Sequence, residues 1–205
     1  GKVFRGFNIR RLFEHELSTG DLISSVHPHC HVRGHEARKL FAELAQSNGS
    51  KSDSWNDLDP IWRDSVTGGT IFIGNDTAAR GPPGRFEQFG ITHIVNATDD
   101  LPNYCEGAAD LEYFTFNIAR HGTWFRSGEA GSLIEFLTPL FRFVDAAVSG
   151  GGSVLVHCLA GAHRAGTTGC LLLMYKEGLS ADDATQLARH LRPVINPIGN
   201  RCRIC

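Results

Sequence analysis

Nothing in this chain is apolar for long enough to lie across a bilayer: no hydrophobic run approaches the ~18 residues expected of a membrane-spanning helix. Basic charge is not in surplus either. The 20 Lys and Arg stand against 22 Asp and Glu, giving a net charge of −2, and a domain without a positive excess lacks the electrostatic footprint of a nucleic-acid binder. The six cysteines, at 30, 105, 158, 170, 202 and 205, show no regular secreted-type spacing, which predicts a reducing, cytoplasmic setting. No internal repeat is present. The first residue is Gly1 rather than Met, which reads as a fragment or a processed form.

What is there is an ordinary globular composition, 41% hydrophobic and 20% charged over 205 residues, enough to bury a core in one domain plus an extension. The two parts are expected to meet at residues 66 and 67. Within 1–66, "GHEARKLFAELAQ" places Ala37, Leu40, Phe41 and Leu44 at the i, i+3, i+4, i+7 spacing of an amphipathic helix. The polar "SNGSKSDSWNDLDP" after it reads as a surface linker. Residues 67–205 alternate between the two periodicities. Strands are expected at 70–74, 91–98, 111–118 and 153–157. Helices are expected at 81–90, 129–152, 164–178 and 181–191. Pro139 falls inside the second of these helices and is a candidate kink; Ser180 is placed to cap the last. The alternation predicts an α/β fold with helices covering a mostly parallel central sheet.

The stretch "VLVHCLAGAHRAGTTG" at 154–169 carries the chemistry. A buried strand ends in His157 and Cys158, and a helix begins at Arg164. Between them lies a glycine-containing loop at a helix N-terminus, where backbone N–H groups and the helix dipole favour an anion. Gly161 allows the loop to curl into a nest of N–H donors. A thiol there is a candidate nucleophile, and Arg164 can grip two phosphate oxygens with its fork. These parts describe phosphoryl transfer to Cys158 followed by hydrolysis, with catalysis coming mostly from positioning and charge stabilisation. A thioredoxin-type site needs C-x-x-C in a βαβ setting. Cys202 and Cys205 have the spacing without the setting, and Cys158 has no such partner. "HPHCHVRGH" at 27–35 is rich in metal-ligating types, but its spacing matches no firm zinc pattern, so no metal and no cofactor are expected.

"VLVHCLAGAHRAG" resembles the signature loop of the dual-specificity protein tyrosine phosphatases, H-C-x-x-G-x-x-R-[S/T]. The likeness extends upstream through "IFIGNDTAA" and "RFEQFGITHIVNATDDLPN" and downstream through "LLLMYKEGLSADDATQLARHLRPVINP", covering roughly residues 68–198. The resemblance implies the compact phosphatase fold, no metal, and a phosphocysteine intermediate. It assigns Cys158 as nucleophile, Arg164 as phosphate clamp and His157 as the residue that tunes the thiolate. Leu159, Ala160, Gly161, Ala162 and His163 become backbone donors to phosphate. It also implies a further helix beyond Cys205. In some members a cysteine in the position of Cys105 forms a reversible disulfide with the nucleophile; an ordinary loop thiol is the favoured reading of Cys105.

Two departures from the pattern follow. Ala165 stands where the family usually has Ser or Thr, whose hydroxyl helps the thiolate leave phosphocysteine; a slower second step is expected. Some glucan phosphatases of the superfamily share that alanine. The family's general-acid Asp is also missing: no Asp lies between Asp110 and Asp145, and Arg120 falls at its position. His121 is the first substitute by this reading, His163 the second and Glu129 the third. The expected function is hydrolysis of phosphotyrosine and phosphoserine/threonine in proteins. The alternatives are a catalytically weak pseudophosphatase that binds phosphoproteins, or a phosphoinositide or glucan phosphatase. Uncharged Leu159 and Ala160, in place of the lysine common in phosphoinositide-selective relatives, favour a phosphorylated protein as substrate.

Overall fold

The computed structural model describes residues 56–81, 83–120 and 130–198. The candidate helix at 34–46, the His-rich stretch at 27–35, His121, Glu129, Cys202 and Cys205 lie outside the described residues.

Five strands form one sheet. In chain order they are β1 (Leu58–Arg63), β2 (Thr70–Gly74), β3 (Ile91–Asn96), β4 (Glu112–Thr115) and β5 (Ser153–His157). Their spatial order is β1-β2-β5-β3-β4. β2, β5, β3 and β4 run parallel, and β1 pairs antiparallel with β2 at the edge. The helices are α1 (Asp76–Ala79), α2 (Pro83–Phe89), α3 (Ala130–Ser149), α4 (Arg164–Glu177) and α5 (Ala181–Leu191). The mostly parallel α/β architecture expected from the alternation is the one observed.

Period-two alternation sorts the strand side chains between two apolar layers. Ile71, Ile73, Val95, Val154 and Val156 face a core built with α3, α4 and α5. Phe72, Ile94 and Leu155 face a smaller core with Ala78, Ala79 and Phe86 of α1 and α2. β5 is buried along its whole length, which is why the middle of "SVLVH" is an unbroken apolar run. Pro139 does not end α3; Thr138 Oγ1 donates to the Ile134 carbonyl at 2.7 Å one turn back, and Leu133, Leu137, Leu140, Phe141 and Val144 form its buried face. Ser180 caps α5 by accepting from the Asp183 N–H, and Gly178 ends α4 with φ at +64°, a left-handed conformation that favours glycine.

The main difference from the sequence reading is β1. It lies inside the 1–66 segment, and its first residues belong to the stretch read as a linker. Pro60, with Asp57 and Asp59, gives this segment the composition of a turn. Pro is accepted because β1 is an edge strand with an irregularity between Pro60 and Trp62. Asp59 is accepted because it pairs with a buried arginine. The sheet therefore begins at Leu58, before the boundary drawn at 66 and 67.

Candidate active site

Because β2, β3, β4 and β5 are parallel, their following loops all leave the same edge of the sheet. That edge, outside the carboxyl ends of the strands, is where open α/β sheets bind ligands. β5 delivers His157 and Cys158 to its centre.

The 158–163 loop is held by its carbonyls. The Leu159 carbonyl accepts from the Asp76 N–H at 3.1 Å, Ala162 from Asn196 N–H at 3.0 Å and His163 from Thr167 N–H at 2.8 Å. The Gly161 carbonyl accepts from Arg192 Nε at 3.0 Å. In a planar trans peptide the C=O and the next N–H point in opposite directions. Tying these four carbonyls to the framework turns the N–H groups of Ala160, Ala162, His163 and Arg164 away from it. Gly161 adopts φ +64°, and a Cβ there would lie 2.7 Å from the Gly74 backbone. Both its conformation and its packing therefore require glycine.

Cys158 sits at the foot of this loop, only 3% exposed. Arg164 opens α4 and is partly exposed. Its Nη1 donates to Asp100 Oδ1 at 2.6 Å. Leu159 is 61% exposed at the rim, and His163 is exposed at the N-cap of α4 without a capping side-chain bond. Cys158, Arg164, His157 and the five loop residues named from sequence are thus brought together. Cys105 lies in the loop between β3 and β4, its N–H donating to the Tyr113 hydroxyl at 3.0 Å.

His157 is fully buried, and neither ring nitrogen has a hydrogen-bond partner among the described residues. Burial pushes its pKa down from an ordinary 6.5 to about 4, against the opposing pull of the Asp76 carboxylate. The ring is therefore neutral near pH 7. The unfolded chain takes up a proton near pH 6.5 and the folded chain only near 4. Stability associated with the neutral ring is complete above 6.5 and is lost as pH falls through that window. His157→Phe is expected to flatten the fall in melting temperature between pH 6.5 and about 4 relative to wild type; an unchanged slope would contradict the assignment.

Three features are absent from the sequence reading. Arg192 is 1% exposed and holds two distant parts of the chain: the Gly161 carbonyl, and the Asn56 carbonyl at 3.0 Å with the Asp59 carboxylate at 2.6 Å. It braces the loop from beneath, so removing it leaves Asp59 buried without its countercharge, a severe change. Asp76, bonded to Tyr104 and Arg80, lies beside His157. Asp100 reaches Arg164 from the loop after β3. The turn at Ile118–Arg120 carries Arg120, whose Nη2 meets Asp99 Oδ2 at 3.0 Å. No group of three or more His, Cys, Asp or Glu suited to a metal ion occurs among the described residues, and no described helix is long and apolar enough to cross a membrane.

A cysteine at the end of a central parallel strand, loop N–H groups turned away from the framework and an arginine at the next helix start are the parts that a cysteine-based phosphate site would require. Residues 71–202 match the model for the dual specificity phosphatase catalytic domain, and the chain belongs to that family. Human dual specificity protein phosphatase 6 is 36% identical over 114 residues, covering 56% of this chain and 28% of its own. Drosophila melanogaster dual specificity protein phosphatase Mpk3 is 31% identical over 129 residues, covering 63% and 29%. The chain thus spans under a third of the length of these curated relatives. Among solved structures, a mouse dual specificity phosphatase complexed with zinc tungstate superposes with a TM-score of 0.53 at 28% identity, covering 73% of this chain and 84% of that one. A single-substitution variant of human DUSP28 gives 0.53 at 26%, covering 69% and 86%.

Proposed function

We propose that this protein hydrolyses phosphotyrosine and phosphoserine/threonine in phosphoproteins through a phosphocysteine on Cys158. The observation that carries the reading is the carbonyl-anchored loop, with Cys158 at its foot and Arg164 at its end. The Cys158 thiolate attacks phosphorus. The loop N–H groups and the Arg164 fork hold the equatorial oxygens as charge spreads over them. Water then releases phosphate from sulfur. His157 is buried and neutral at the exit of β5, where its backbone carbonyl accepts from the Ala97 N–H. Leu159, exposed and uncharged at the rim, suits an uncharged substrate surface around the phosphate better than a polyanionic headgroup.

Ala165 is fully buried beside this loop and offers no hydroxyl to the departing thiolate. This observation, with Arg120 at the position of the family's acid, also supports a second reading, a phosphoprotein-binding scaffold with little turnover. One set of measurements separates the two. The enzyme reading predicts a pre-steady-state burst on an activated aryl phosphate, and Ala165→Ser raises kcat while leaving the burst rate nearly unchanged. No burst and no turnover, with tight retention of a phosphotyrosine peptide, would establish the scaffold.

A further inference from the structure

The turn after β4 carries no carboxylate, yet one reaches the site from another loop. β3 ends at Asn96, a side chain only 1% exposed, and that side chain organises the residues after it. Asn96 Nδ2 donates to the Leu101 carbonyl at 2.8 Å and to Asn103 Oδ1 at 3.1 Å. Its Oδ1 accepts from the Thr98 N–H at 3.1 Å and the Thr98 hydroxyl at 2.8 Å. Thr98 Oγ1 accepts in turn from the Leu101 N–H at 3.1 Å. The Ala97 N–H donates to the His157 carbonyl at 2.9 Å, which locks this loop to the exit of β5 next to Cys158. On this frame stand Asp99 and Asp100. Asp99 is taken by Arg120, and Asp100 reaches Arg164.

The other carboxylates around the site are committed elsewhere. Asp76 holds Arg80 and Tyr104, Asp57 holds Arg85 and Asn75, and Asp59 is buried on Arg192. Among the described residues, Asp100 is the carboxylate shown in contact with the phosphate-gripping guanidinium.

We propose that Asp100 is the proton donor to the leaving oxygen, supplied by the loop after β3 in place of the aspartate absent from the turn after β4. The inference rests on the phosphatase reading above. Asp100 takes one Nη of Arg164 and leaves the Nε–Nη2 edge for a phosphoryl group. The ester and the carboxylate then share one cation. Two anions so placed retain one proton between them, and a phosphomonoester monoanion, whose second pKa is about 6, brings that proton with it. It passes from a phosphoryl oxygen to Asp100. The Cys158 sulfur–phosphorus bond forms, the phosphorus–oxygen bond breaks with its electron pair on the leaving oxygen, and Asp100 gives that oxygen the proton. In the second step Asp100 accepts a proton from the attacking water as the sulfur–phosphorus bond breaks and its electron pair returns to Cys158. The charged groups around Asp100 are Arg164 of α4 and the Asp99–Arg120 pair beside it; the pull of Arg164 holds the Asp100 carboxyl below the usual range when no ester is bound.

The test compares wild type, Asp100→Asn and Asp100→Glu on an activated aryl phosphate, a phosphotyrosine peptide and a phosphoserine peptide, with melting temperatures recorded for each. Asp100→Asn is expected to lose ~10²- to 10⁴-fold in kcat/KM on the phosphoserine peptide, much less on the activated aryl ester, and the descending alkaline limb of its pH profile. Asp100→Glu should recover part of the phosphoserine activity. An equal loss on all three substrates would mean that Asp100 only orients Arg164, and an unchanged profile would mean that the proton comes from elsewhere; either overturns the inference while leaving Cys158-dependent turnover in place. Wild type without turnover on any ester would instead overturn the phosphatase reading, and this one with it.

Discussion

Cys158→Ser is expected to lower turnover of an aryl phosphate by ~10⁴- to 10⁶-fold, the scale of removing a nucleophile from its assembled site. The substitution is nearly isosteric, and the site, 3% exposed, tolerates a smaller atom. What is lost is an attacking anion. A serine hydroxyl needs a base on its own side of phosphorus at the moment of attack, whereas Asp100 is assigned to the side of the leaving oxygen. His157 is buried without a hydrogen-bond partner, and His163 is exposed at the helix start. The carbonyl anchors and Arg164 are untouched by the change. The variant should therefore still bind a phosphotyrosine peptide, at an affinity close to that of the wild-type Michaelis complex. Titration calorimetry beside steady-state kinetics checks both halves. Residual activity within an order of magnitude of wild type would remove Cys158 from the reaction.

Arg164→Lys should cost ~10²- to 10³-fold in kcat/KM, the range for losing one transition-state donor. Lysine keeps the charge and can still pair with Asp100, but it offers a point charge where the guanidinium offers a planar edge of two N–H donors. The loss should fall mainly on kcat, because the equatorial oxygens gain charge and separation as phosphorus is transferred. Inhibition by inorganic phosphate should weaken less than kcat/KM does. Near wild-type turnover would exclude the bidentate clamp.

The 158–163 loop is legible in sequence because its parts are contiguous. The apolar run of β5, the glycine that only a left-handed turn and a close Gly74 backbone require, and the arginine at the start of α4 all fall within residues 153–164. Local periodicity likewise yields the strands and the longer helices from Thr70 onward, but not the single turn of α1 at Asp76–Ala79. The features that escaped depend on which strands become neighbours. Asp100 and Arg164 are 64 residues apart, and they meet because β3 lies beside β5 in a sheet whose order is not the order of the chain. Arg192 and Asp59 are 133 apart, so neither β1 nor the brace beneath Gly161 has a local signature. The family pattern places the acid after β4, where His121 and Glu129 fall, and His163 lies in the loop after β5. The proposed donor, Asp100, has a positional signal of its own. "NATDD" directly follows a strand of the parallel sheet, and every such exit faces the ligand edge.

The central claim is a covalent phosphoryl transfer to Cys158, and acid quenching of the enzyme within its first turnover of an activated aryl phosphate tests it most directly. With Ala165 offering no hydroxyl to the departing thiolate, the intermediate should accumulate. Peptide mass mapping is then expected to find one phosphoryl group on the peptide carrying Cys158, absent from Cys158→Ser and reduced in Ala165→Ser. Full turnover with no phosphorylated peptide at any quench time, or a phosphoryl group on another residue, would contradict the account.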